Sequence, residues 1–203
     1  MRRLNKAQVA FAAFLACACA STTYVATWRS PTAKPLHLKG AKVAAVVLVT
    51  SEPLRKAAEN RLAQEITSRG AIGVAMYTIV PDAQPGDEAK VRAVLEQANF
   101  KAVVAMHPVG KKTEIHVQSQ PGYDHLWGDY YRYGWSTRYA PADTVTTYAE
   151  TIVTVDTRVY SLEQNELVWE GQSETSDPST INAFISDLAE ATARKLSEAG
   201  LIQ

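Results

Sequence analysis

Two hydrophobic periods alternate across residues 41–106, and that alternation leaves few folds open. Lys42–Thr50 (KVAAVVLVT) is a β-branched, almost unbroken apolar run, as expected for a strand covered on both faces. Ser51 follows as a helix cap, with Glu52 and Pro53 in the first turn. Leu54, Ala58, Leu62 and Ile66 then recur every four residues, and Gly70 supplies the stop. The same spacing predicts a second strand near Gly73–Val80 and a second helix over Asp87–Asn99, with Val91, Val94, Leu95 and Ala98 inward. A third strand falls at Lys101–Met106. A β-α-β-α-β start of this kind implies a largely parallel half-sheet.

After Gly110 the period becomes that of a half-buried strand. Thr113–Gln118 places Ile115 and Val117 on one side and Glu114, His116 and Gln118 on the other. The intervening Val109–Lys112 reads as a hairpin turn. An irregular aromatic segment occupies residues 120–140. Val145–Tyr160 is a long strand, and a turn at Glu163–Asn165 returns the chain through Leu167–Glu174. The last element is a helix starting at Asp177-Pro178, with Ile181, Phe184, Ile185, Leu188 and Leu196 as its apolar stripe. The expected architecture is α/β (α+β): one mixed sheet, order β-α-β-α-β-β-β-β-α, with helices packed on it. At 203 residues with 46% hydrophobic and 21% charged side chains, the chain holds one ordinary core, and wholesale disorder is excluded. Residues 41–203 form the expected single domain.

The N-terminus carries the compartment signal. Met1–Lys6 (MRRLNK) is positive, Ala7–Ala16 is apolar over about ten residues, and small residues follow at Cys17–Ser21. This is the three-part layout of a secretory signal peptide, residues 1–18, whose apolar part is too short to span a bilayer permanently. Both cysteines lie at this junction, so a disulfide framework is excluded for the domain. Two outcomes fit the junction. Lipidation of Cys19 would anchor the protein to a membrane, whereas ordinary cleavage at Ala18-Cys19-Ala20 would release it as a soluble periplasmic protein. Residues 19–40, polar with Pro31 and Pro35, read as a tether. Removing Arg2, Arg3 and Lys6 leaves 18 basic against 21 acidic side chains, a balance with no electrostatic bias toward nucleic acid.

Cys19–Tyr24 (CASTTY) and Thr27-Trp28 resemble the mature N-terminus of a family of uncharacterised proteobacterial envelope lipoproteins. Residues 145–174 also resemble envelope lipoproteins in which a Gly/Tyr/Trp-rich loop precedes a Thr-Tyr strand and a Leu-Val-Trp-x-Gly hairpin. The element order is similar to the TolB N-terminal-like and curli-secretion-lipoprotein-like α/β domains. The resemblance implies the fold and an envelope location, and it brings no catalytic residues. With Ala20 rather than Asp after Cys19, it also implies the outer membrane.

Candidate chemistry is sparse. The sequence contains no Walker-type phosphate loop and no G-x-S-x-G elbow. With the hairpin turn at Val109–Lys112, His107 would face Glu114 with His116 two residues along, a set able to ligate a divalent metal. The competing reading makes them the polar side of an alternating strand. Glu150 and Asp156 share a strand side but stand about 20 Å apart, too far for joint acid–base work on one bond. Arg158 is expected across from Trp169, where it would stack. Seven aromatics, Tyr123, Trp127, Tyr130, Tyr131, Tyr133, Trp135 and Tyr139, crowd one long irregular segment. Tyr and Trp combine large contact area with a polar tip, so the segment reads either as a binding surface or as a cover for the sheet. The leading functional reading is a non-enzymatic lipoprotein facing the periplasm without a cofactor. It would be held to the membrane by its N-terminal lipid and would bind an envelope protein partner. A glycan binder is the alternative, and a metal-dependent enzyme using His107, Glu114 and His116 is a third reading.

Overall fold

The computed structural model describes residues 22–81, 87–120 and 144–202. Six strands run in chain order as β1 (Thr22–Arg29), β2 (Lys42–Val47), β3 (Ile72–Ala75), β4 (Phe100–Gln120), β5 (Thr144–Ser161) and β6 (Glu166–Ser176). Three helices join them: α1 (Glu52–Ser68), α2 (Glu88–Gln97) and α3 (Ile181–Glu198). The strands form a single mixed sheet in the order β1-β6-β5-β4-β2-β3. β2 is parallel to β3 and β4, and the other pairs are antiparallel. The expected α/β mixed sheet is therefore the observed one.

The helices divide between the two faces. Ala58, Leu62 and Ile66 of α1 and Ile185, Leu188 and Leu196 of α3 pack against Val43, Val47, Val104, Met106, Val155 and Val159. On the other face Leu95 of α2 meets Ala44 and Phe100. α2 is short, so much of the β1-β6-β5 half of that face stays open to water and carries Asp156, Arg158, Glu170 and Gln172.

Three local assignments differ from the sequence reading. Residues 22–29 are an edge strand rather than a tether: β1 pairs along β6 from Thr22↔Thr175 to Arg29↔Trp169. Thr22-Tyr24 alternation is a strand signal that Pro31 and Pro35 mask. Second, the strands expected at Lys101–Met106 and Thr113–Gln118 are one continuous β4. Val109 is the extra residue of a bulge between the pairs Pro108↔Val155 and Gly110↔Thr154, and the strand continues beyond it instead of turning. Third, α3 is capped by Thr180, whose hydroxyl accepts the Ala183 N–H at 3.1 Å. Asp177, expected as that cap, instead accepts the Thr151 N–H at 2.7 Å.

The two motifs behind the lipoprotein resemblance meet in the core. Thr22 and Thr175 share a hydroxyl hydrogen bond at 2.7 Å. Tyr24 lies on Trp169 with ring centroids 5.9 Å apart, and its hydroxyl reaches Thr157 at 3.0 Å and Thr192 of α3 at 2.8 Å. Burial pushes the Tyr24 phenol above its ordinary pKa. Gly171 is the residue that lets both rings lie there, because a Cβ at that position would stand 2.4 Å from Trp169 and 2.8 Å from Tyr24. The Leu-Val-Trp-x-Gly hairpin is thus a packing device. Trp169 is 3% exposed and offers no docking surface.

Candidate functional site

The hairpin that would have gathered His107, Glu114 and His116 does not form. β4 runs straight through, so His107 faces Asp156, Glu114 faces Glu150 and His116 faces Tyr148 across β5. His107 and Glu114 are consequently about 20 Å apart along one strand. Among the described residues no three of His, Cys, Asp and Glu gather closely enough to hold one ion. The hairpin turn at Val109–Lys112 that was to gather His107, Glu114 and His116 is corrected accordingly to a continuous strand.

Arg158 likewise has a different neighbour. The β5–β6 register sets it opposite Glu170, and its Nε donates to Glu170 at 2.7 Å. The guanidinium is held above its usual pKa by that hydrogen bond and charge. Val159, not Arg158, faces Trp169, so the expected stacking is absent. Glu59 of α1 is the one fully buried carboxylate among the described residues, at 1% exposure. Its two oxygens accept the backbone N–H groups of Val47 at 3.4 Å and Tyr77 at 2.8 Å. Burial pushes its carboxyl above the ordinary range, and the two amide bonds oppose that rise. Both contacts tie α1 to the ends of β2 and β3, which is a structural role.

What the fold builds instead is a projecting ribbon. β6 ends at Ser176, opposite Ile152. Beyond that point, among the described residues, β4 and β5 pair without a third strand from Thr113↔Thr151 to Gln120↔Thr144. These eight pairs extend about 25 Å from the sheet. Its root is clamped by Asp177, whose N–H donates to Thr151 O at 2.8 Å while its carboxylate accepts from Thr151 N. The ribbon has two chemically distinct faces. Ile115, Lys111 and Ala149 fall on the side of α1 and α3, while Lys112, Glu114 and Glu150 fall on the other, with Lys112 Nζ 2.8 Å from Glu114. Gln120 and Thr144 bracket the aromatic segment. Tyr123, Trp127, Tyr130, Tyr131, Tyr133, Trp135 and Tyr139 lie outside the described residues, as do Cys19 and the leader.

Sequence reasoning missed a second feature at the ribbon root. An apolar cavity of about 200 Å³ opens between the first turns of α1 and α3, lined by Val47, Val49, Leu54, Pro108, Ile181 and Phe184 among others. The available signal was the apolar Leu48-Val49 directly after β2 and the apolar residues in both helix starts. Only the fold brings them side by side.

No protein-family model matches the chain, and no curated protein matches it. Among solved structures, the chain is similar to the PelC dodecamer from Paraburkholderia phytofirmans. The identity is 14% and the TM-score 0.48, over 90% of this chain and 99% of that one. It is also similar to lipoprotein GNA1162 from Neisseria meningitidis, at 11% identity and a TM-score of 0.41, over 78% of this chain and 99% of the other.

Proposed function

We propose that this chain is a non-enzymatic binding module of the bacterial envelope, lipidated at Cys19 and facing the periplasm from the outer membrane. Its recognition element is the β4–β5 ribbon together with the aromatic segment that the ribbon carries. The observation that supports this reading most directly is the ribbon itself. Among the described residues, eight strand pairs run past β6 with no third strand beside them, and Ile115 on them is 70% exposed. A two-stranded extension with an exposed apolar side chain adds nothing to the core. Seven Tyr and Trp residues in the segment it delivers supply contact area of the kind that binding surfaces use. The leader layout and the cysteines confined to its end support export and the anchor.

The test places a photo-crosslinking residue at position 150, in place of Glu150 on the Lys112–Glu114 side of the ribbon, in cells producing the native, exported chain. The same probe at Tyr160, on the body of the sheet, serves as control. A discrete crosslinked protein at position 150 that disappears in the Trp127→Ala/Trp135→Ala variant supports the reading. A pattern unchanged by that double substitution removes the aromatic segment as the recognition element. Mass spectrometry of the mature N-terminus reads the anchor separately: an unmodified terminus overturns lipidation.

A further inference from the structure

Four of the eight large hydrophobic side chains exposed among the described residues lie toward one end of the sheet. Leu48 follows β2, its N–H bonded to Met106 O at 2.9 Å. Val109 sits in the β4 bulge, Ile115 lies on the ribbon and Ile181 opens α3. They are 54%, 44%, 70% and 65% exposed in that order. Of the four, Ile181 also lines the apolar cavity between the starts of α1 and α3. Ile72, also exposed, lies at the opposite end, paired with Lys42 where β2 begins.

The chain enters at this same end. Thr22 faces Thr175, Thr175 faces Val153 and Val153 faces Lys111, so β1 starts level with the ribbon root. Only three peptide units separate Cys19 from Thr22, a reach of about 10 Å. Because β1 is a paired strand, the long tether expected from the sequence does not exist beyond Thr22. A lipid on Cys19 would therefore hold this end of the sheet, and not the Ile72 end, against the bilayer.

We propose that this end of the domain seats on the lipid bilayer, with Leu48, Val109, Ile115 and Ile181 entering its interfacial layer. The proposal rests on the lipid anchor for the direction of approach. The ribbon lies with its Ile115 face toward lipid and its Lys112, Glu114 and Glu150 face toward water, as the two faces require. Contact is apolar rather than electrostatic, since the leaderless chain carries slightly more acidic than basic groups. Zwitterionic lipid should serve, and salt should not release the protein.

The experiment uses the mature chain with Cys19→Ser, which removes the lipid and leaves no other cysteine. A single environment-sensitive label is placed by cysteine substitution at Leu48, Ile181 or Ile72, and phosphatidylcholine vesicles containing brominated lipid are added. Quenching at positions 48 and 181 but not at 72, unchanged in about 0.5 M salt, is the expected result. The Leu48→Ser/Ile115→Ser/Ile181→Ser variant should lose vesicle affinity by about tenfold per side chain removed. All three positions are exposed, so the variant keeps its core. Equal quenching at 72 and 181, no quenching at any position, or unchanged affinity of the triple variant overturns the proposal. The native protein's N-terminus decides the anchor independently. A chain without diacylglycerol removes the anchor whatever the quenching shows, and a lipidated chain whose domain shows no quenching overturns the seat alone.

Discussion

Replacing Gly171 by alanine tests whether the Thr22–Tyr24 and Leu167–Gly171 segments are a packing unit. The added methyl would stand 2.4 Å from Cη2 of Trp169 and 2.8 Å from Cε1 of Tyr24, well inside contact distance, so at least one ring must move. Overpacking a filled core costs about 1–3 kcal/mol. Displacing the Tyr24 ring also strains its hydroxyl bonds to Thr157 and Thr192, each worth about 1 kcal/mol. Alanine returns about 0.5–1 kcal/mol, since glycine is the poorer residue in a strand. The expected net loss is about 2–3 kcal/mol, or roughly 5–10 °C in Tm for a chain of this size. Gly110→Ala is the internal control, because its methyl meets only Thr154 atoms at 3.8 and 3.9 Å, an ordinary contact. Urea unfolding of the leaderless Cys19→Ser chain, followed by tryptophan fluorescence and circular dichroism, measures both variants. If Gly171→Ala and Gly110→Ala agree within about 0.5 kcal/mol, the rings do not depend on Gly171 and the packing argument is wrong.

Glu59 contributes a pH dependence with a definite sign. Burial raises its folded-state pKa above the ordinary 4.5, so the folded chain holds this proton after the unfolded chain has released it. Its stabilising share is full below 4.5 and is lost as pH rises through the folded-state value. Glu59→Gln removes this term, so urea midpoints of wild type and variant between about pH 4 and pH 8 should diverge in favour of wild type as pH falls; parallel curves refute it. Arg158→Ala, by contrast, breaks an exposed ion pair with Glu170 and should change stability by under about 1 kcal/mol in thermal unfolding.

The α1, α2 and α3 helices and the strands β2, β5 and β6 were legible because each carries its own period: Leu54, Ala58, Leu62 and Ile66 at four-residue spacing, Val153, Val155 and Val159 at two. Boundaries followed from Gly70 and from Asn165, whose positive φ of 55° closes the β5–β6 turn. The candidate metal set failed for a reason local chemistry does not reveal. Val109-Gly110 is compatible with a turn or with a bulge, and only the presence of β5 across from both halves of β4 decides for the bulge. The same holds for Arg158, because a one-residue register shift in β5–β6 exchanges Trp169 for Glu170 as its neighbour.

Residue order alone established a mixed α/β sheet and a stretch from Ala20 to Gln203 without cysteine, because these depend on composition and on periods within single segments. Tertiary structure decided what depends on pairing between distant segments. It made residues 22–29 an edge strand by offering them the free side of β6. It turned Tyr24, Trp169 and Gly171 from a family-like motif into one packed unit. It also carried β4 and β5 past the end of β6 as a ribbon that bears Ile115. Hydrogen-bonded partners and hydrophobic neighbours more than a hundred residues apart are chosen by the assembled sheet, and no local pattern encodes that choice.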